Sequence, residues 1–499
     1  MSPARQKALL ALLVALVVGV LYAPVRGHEW IRYDDDVYVL ENRLVRAGFT
    51  AEGVRTVFTE EVAANYHPLT WLTHMLDVEL FELEPAGPHL VNVGLHAANA
   101  VLVLYLLAAL GLAPLAAALG AALFAWHPLR VESVAWAAER KDVLCAFFFL
   151  AALLVYLAHA RAPSRGRLLA SLVLFVLALL AKPMAVTLPV VLVLLDRAAL
   201  ERRGRAVWLE KLPFFALAGL FAGLTLWAQA SGGSTSDAGE LAFDLRALNA
   251  LASLWVYLRQ SLLPTGLSVF YPHAAEAPEG ARAALLVPAA LGLGVVVGWC
   301  VLARVLGARG RRFGLGGALA LAMLLPVLGL LQVGTQAHAD RYTYLPSLGL
   351  VLALVGSLSP LGMRALALAL LPLCLATARQ VGHWRDTRTL FTHALAADPE
   401  NHVAHMKLGE LARDAGALEE GRAAFARALT HAPRYVLAWN ELGLASLALG
   451  DVPAARQALE RAYALDPSDA SSAMNLGVVA LQEGDLVRAD KLFLAAERG

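Results

Sequence analysis

Three adjacent carboxylates, Asp34, Asp35 and Asp36, follow the apolar stretch that opens the chain. Carboxylates in such a run can take a proton from a hydroxyl as a general base. They can also supply oxygen ligands to a divalent metal, or simply cap and hydrate a loop. Adjacent carboxylates raise one another's pKa, which suits a base working near neutral pH.

Four further polar blocks stand out. His89, Asn92, His96 and Asn99 are spaced 3, 4 and 3 and so share one helical face. That stripe reads as a site wall, with His89 bonding a substrate, or as a hydrogen-bonded seam between helices. The block His127-Pro128 to Asp142 holds Glu132 in an orienting position and Arg140 and Lys141 as phosphate ligands; its other reading is a solvated interfacial helix with internally paired charges. Lys182 interrupts an apolar run before Pro183, where it either meets a lipid phosphate or snorkels to the interface. Arg341 stands between Asp340 and Tyr342; its planar fork suits bidentate phosphate recognition, and Tyr342 and Tyr344 flank a site or anchor a span.

The elements that must position these groups are membrane helices. Of 499 residues, 59% are hydrophobic and 16% charged, against about 25% charged in soluble domains. The net charge of +1 gives no bulk attraction to nucleic acid. Cys145, Cys300 and Cys374 all fall in apolar stretches and form no disulfide or CxxC pattern. A span needs about 20 apolar residues. Leu9–Leu21 reads as a retained first span, because no small-residue cleavage site follows. Further stretches lie near 89–111, 113–126, 142–160, 167–181, 184–196, 213–230, 284–303, 315–333, 345–359 and 364–379, giving about eleven spans.

Excess Lys and Arg marks cytoplasmic loops. An inside N-terminus puts Arg161, Arg165, Arg167, Arg197, Arg202, Arg203, Arg205 and Lys211 inside, and the loop 231–246 with Asp237, Glu240 and Asp244 outside. Arg304, Arg309, Arg311 and Arg312 then fall inside only if 247–263 does not cross. That segment reads as an outer interfacial helix, with Trp255 and Tyr257 at headgroup depth; its other reading is a twelfth span, with one basic loop misplaced. The aspartates, Arg341 and the C-terminal region share the outer face.

From 402 onward a 34-residue period appears. Trp439, Leu442, Gly443, Ala455, Leu459, Ala462 and Pro467 fit the tetratricopeptide pattern, with in-phase copies at His405, Leu408, Gly409, Gly421, Phe425, Ala428 and Pro433, and at Ala473, Leu476, Gly477, Ala489, Phe493 and Ala496. Phe391, Ala394 and Pro399 match half of a preceding repeat. The sequence therefore divides into a membrane body, 1–380, and a solenoid of about 3.5 repeats, 381–499, whose groove suits a peptide or protein partner.

Taken together, Tyr33-Asp34-Asp35-Asp36, His67-Pro68-Leu69-Thr70, the His89-to-Asn99 stripe, His127-Pro128 with Glu132 and Arg140, Lys182-Pro183, Arg341 to Pro346 and the repeats resemble the transmembrane and tetratricopeptide repeat-containing protein O-mannosyltransferases and their bacterial relatives. The resemblance implies an all-α, polytopic GT-C-type glycosyltransferase body with its site on the non-cytoplasmic face. It implies a polyprenyl-phosphate sugar donor, undecaprenyl phosphate in a bacterium, and a protein hydroxyl acceptor docked by the repeats. It places the base at Asp35, with Asp34 second and Glu132 orienting. The donor phosphate falls to Arg341, then Arg140 and Lys182, and substrate contacts to His89, His127 and Tyr342. A divalent metal remains open. The expected location is the bacterial inner membrane, multi-pass, with site and repeats periplasmic. The repeat array is shorter than in eukaryotic members, which leaves sugar and acceptor open. A glycosyltransferase acting on a lipid or glycan, and a non-enzymatic envelope scaffold, are the alternatives.

Overall fold

A computed structural model describes residues 2–498 apart from 63–64, 232–240, 277–279 and 331–333. Asp237 and Glu240 of the expected outer loop, and the last three residues of the 315–333 stretch, lie outside the described residues. The described residues form two compact units, Met1–Leu267 with Leu286–Thr387, and Ser268–Leu285 with Arg388–Gly499.

The first unit is a bundle of apolar helices. Each of the eleven apolar stretches contains a helix among its described residues: Pro3–Tyr22, Ala86–Ala109, Pro114–Ala125, Arg140–Arg161, Arg165–Ala181, Leu188–Ala198, Leu212–Ser231, Ala281–Val305, Gly310–Leu324, Ser347–Val355 and Pro360–His383. Six helical stretches among the described residues are long and apolar enough to cross a membrane unaided. Several of the rest are cut short by proline, as where Pro183 starts a separate turn before Leu188. The helices begin where side chains can satisfy their free amides: Ser164 accepts from Arg167 N at 3.4 Å and Ser359 from Gly362 N at 3.2 Å. Outward faces carry bare leucine, as at Leu361, Leu368, Leu371 and Leu375 of the last helix. An exposed aliphatic row of this kind belongs in lipid.

The segment 247–263 lies within the helix Phe243–Leu262. Its Tyr257 is buried and packs with Ala250, Leu324 and Leu328. The expectation of a headgroup-depth anchor at Tyr257 is therefore corrected: its ring fills a protein core.

Between the first two long helices runs a polar loop with short helices at Arg43–Arg46, Ala51–Thr59 and Pro68–Phe81. The aspartates open a wide π-type turn, Asp36–Leu40, closed by Glu41 N donating to Asp36 O at 2.8 Å. Such wide turns frequently mark functional sites.

In the second unit, helix pairs His402–Asp414 with Leu418–His431, Val436–Ala448 with Val452–Leu465, and Ala470–Gln482 with Leu486–Ala496 repeat the 34-residue period. Each pair closes on a glycine opposite a large side chain. A Cβ at Gly409, Gly443 or Gly477 would stand 2.6, 2.5 or 2.6 Å from Phe425, Leu459 or Phe493. The segment Ser268–Leu285, far upstream, packs into this unit: Asn401 Nδ2 donates to Phe270 O at 2.9 Å and His402 meets Glu276 at 2.8 Å.

Candidate functional site

Two backbone amides hold Asp35. Its Oδ2 accepts from Ile31 N at 2.8 Å and its Oδ1 from Ala138 N at 2.8 Å, and the side chain is fully buried. Burial pushes its carboxyl up to about 7, although both amides pull it down. Asp36 turns back to its own neighbour, accepting from Val37 N at 3.0 Å. Asp34 differs. It is half-buried, and its carboxylate accepts no hydrogen bond among the described residues. Burial lifts it to about 6, against the pull of Lys141. The expectation of the base at Asp35 is thus answered by geometry that commits Asp35 and leaves Asp34 open.

Alternating charges border Asp34. Glu132 accepts from Arg341 twice, at the backbone N (2.7 Å) and the guanidinium. Arg341 Nε lies 3.4 Å from Glu139. Glu139 also meets Lys141 at 3.0 Å and Lys182 at 3.3 Å. Lys182 continues to Asp142 at 2.6 Å, and Ser133 Oγ donates to the other oxygen of Asp142 at 2.9 Å. Three carboxylates and three cations balance, as charges held away from water must. Burial raises the Glu132 carboxyl, and the Arg341 guanidinium works against that rise.

Aromatic rings floor the cluster. Tyr33 stacks on Trp136 at 5.5 Å and 21°, and Trp136 abuts Trp384 at 5.6 Å. Lys141 Nζ sits 4.4 Å from the Tyr38 ring centre, and Arg341 lies over Trp136 and Tyr342 at 5.6 and 5.1 Å. Flat rings beside cations and carboxylates suit a polar ring compound with an anionic leaving group.

Several expected roles fall away. Arg140 does not face a phosphate: it is buried, donating to Asp77 at 2.8 Å, to Pro88 O at 2.9 Å and to Asn92. His127 does not face a substrate: its Nδ1 accepts from Leu129 N at 3.2 Å and its Nε2 lies 3.1 Å from Ser261 O. Of the stripe, Asn92 donates to Trp136 O at 3.0 Å, and Asn99 to Val143 O at 2.9 Å. His96 meets Tyr344 Oη at 2.6 Å and Ala125 O at 3.0 Å. This is a seam between helices. His89 is fully buried between the rings of His28 and Trp30, 6.0 and 6.3 Å away. Tyr342 Oη accepts from Gln336 at 2.7 Å, so its hydroxyl braces the Arg341 loop.

Other groups escaped sequence reasoning as site members. Glu139 and Asp142 are the hubs of the ion network, and their closeness to Lys141 in sequence was the available signal. Thr70 Oγ1 donates to Ala181 O at 2.9 Å, fixing the backbone that presents Lys182. Arg130 donates to Thr343 Oγ1 at 2.5 Å and so steadies the turn that carries Arg341. Burial, with Lys141 and Lys182, pushes the His67 imidazole down to about 3, so it stays neutral.

Among the described residues no three His, Cys, Asp or Glu side chains assemble to hold a metal ion. Of the nearby carboxylates, Asp35 is held by backbone amides and Glu132, Glu139 and Asp142 by cations, while Asp34 is not so engaged.

Residues 377–436, 419–470 and 440–499 match the tetratricopeptide repeat family. The C-terminal helix pairs are tetratricopeptide repeats. The chain is 39% identical over 106 residues to human Protein O-mannosyl-transferase TMTC4, covering 18% of this chain and 14% of that one. It is 32% identical over 152 residues to human Protein O-mannosyl-transferase TMTC3, covering 29% and 16%. The chain thus resembles this family, while the matched segments span about a seventh of those relatives' length. Among solved structures, ArnT from Cupriavidus metallidurans aligns with 99% of this chain and 78% of its own at 16% identity and TM-score 0.39 in the apo state. Bound to undecaprenyl phosphate it aligns with 93% and 80% at 14% identity and TM-score 0.37.

Proposed function

We propose that the chain is an inverting membrane glycosyltransferase. It moves a sugar from a polyprenyl-phosphate carrier to Ser or Thr hydroxyls of an exported protein. The unit of Met1–Leu267 and Leu286–Thr387 forms the catalytic body, and the C-terminal repeats dock the acceptor. The observation that carries this reading is Asp34: an unbonded, half-buried carboxylate lifted to about 6, beside an ion network and a stacked aromatic floor.

Asp34 takes the hydroxyl proton as the acceptor oxygen attacks the anomeric carbon. The bond from that carbon to the phosphate oxygen breaks in the same step, with inversion. The electron pair leaves on polyprenyl phosphate, and its growing charge needs fixed cations nearby. Arg341, Lys182 and Lys141 supply them, each already aligned by Glu132, Glu139 or Asp142. Asp35 positions Asp34 through its two backbone bonds. The arginine asymmetry of the loops supports an inner-membrane protein with this site on the periplasmic side. The names of the O-mannosyl-transferase relatives make mannose the first sugar to test.

The test supplies the purified protein with labelled undecaprenyl-phosphate mannose, a panel of envelope proteins and extracted lipid. Label on Ser or Thr of a protein supports the proposal. Label on lipid alone selects a lipid-directed enzyme, and no transfer from any polyprenyl-phosphate sugar rejects the reaction class.

A further inference from the structure

A second charged cluster stands at the other end of the helix Arg140–Arg161. Tyr156 is sixteen residues past Arg140, about 24 Å along the axis. Its hydroxyl bonds Asp196 at 2.6 Å, Arg202 at 3.0 Å and Lys211 at 2.6 Å. Arg202 also grips Glu210 at 2.9 Å. Here Arg202 and Lys211 are neutralised by Asp196 and Glu210, so the cluster is balanced. The shallow recess beside it is not: Arg197, Arg203 and Trp208 also line it. Arg197 and Arg203 are exposed and meet no carboxylate among the described residues. Arg197 lies 5.4 Å from the Trp208 ring centre. Trp208, Leu209 and Leu212 expose 44, 51 and 57% of their surface.

We infer that this recess binds the phosphate headgroup of an anionic phospholipid. Two uncompensated guanidinium forks match a phosphodiester, and an indole with two leucines beside them matches the headgroup–acyl boundary. A free phosphate ion has no use for that apolar edge. The balanced Tyr156 cluster beneath gives the loop a rigid base. This site is separate from the proposed sugar-transfer site and does not depend on it.

Native mass spectrometry of the full chain, delipidated and then offered equal phosphatidylglycerol and phosphatidylcholine, tests it. The protein should retain phosphatidylglycerol preferentially. Replacing Arg197 and Arg203 with Gln should cut that preference roughly tenfold or more. Replacing Arg304 and Arg309, exposed arginines of another basic loop, should leave it nearly intact. Equal retention of both lipids, an equal loss from the Arg304/Arg309 pair, or displacement by millimolar inorganic phosphate would each overturn the inference. Gel filtration of both double variants checks that they remain folded.

Discussion

Asp35 accepts a hydrogen bond from Ala138 N at 2.8 Å, and that bond ties the aspartate loop to the start of the helix that carries Lys141. The two residues are 103 apart in sequence, and the stacking of Tyr33 on Trp136 and the Lys141–Tyr38 contact join the same two segments. Asp34, one residue before Asp35, is set beside Lys141, whose charge draws the Asp34 carboxyl down.

Asp35→Asn should damage the fold before the chemistry. The amide can accept at one atom only, and its NH2 would confront a backbone N–H. A buried donor left unsatisfied costs about 1–3 kcal/mol. The melting temperature in detergent should fall by several degrees. Asp34→Asn, which breaks no hydrogen bond, should melt as wild type or slightly above it.

Activity should rise with pH through about 6, where Asp34 loses its proton. The stability effect has the opposite sign. Asp34 binds its proton more tightly folded than unfolded, so folding takes up a proton between about pH 4 and 6. Its contribution is greatest below pH 4 and is lost as pH rises through 6. Paired melting curves of wild type and Asp34→Asn at pH 4.5 and 7.5 should show the variant gaining relative stability at the higher pH. No pH dependence of that difference would contradict the assignment.

Arg140→Gln should behave as a core lesion. It strips the guanidinium from buried Asp77, and breaking a buried ion pair from one side costs about 3–5 kcal/mol. Folded protein yield should drop sharply, while the KM for donor in the surviving fraction stays near wild type. A raised donor KM with normal stability would restore Arg140 to the phosphate.

In the repeats, Gly443→Leu would drive a side chain into Leu459, whose Cγ already stands 2.5 Å from the position of a Cβ. Overpacking of this kind costs about 1–3 kcal/mol. Circular dichroism should show part of the helix signal melting earlier.

The helices and the repeats were legible because their signals are periodic and local: long apolar runs, and Gly409, Gly443 and Gly477 in phase. The division of labour among the aspartates was not. Asp34 and Asp35 have the same side chain, and only partners distant in sequence, Ala138 and Lys141, separate them. Arg140 and Lys141 also look alike in sequence. One helical step of about 100° turns the first toward Asp77 and the second toward Glu139. Tyr257 misled for a related reason, since an aromatic near a membrane interface has the same sequence signature whether it faces lipid or Leu324.

The most direct test of the central claim is a transfer assay at pH 7.5 comparing Asp34→Asn with wild type, using labelled polyprenyl-phosphate mannose and equal amounts of folded protein. A base contributes about 10²–10⁴-fold. The account predicts that Asp34→Asn loses rate by that factor with its melting temperature intact. A variant that transfers at the wild-type rate would contradict it.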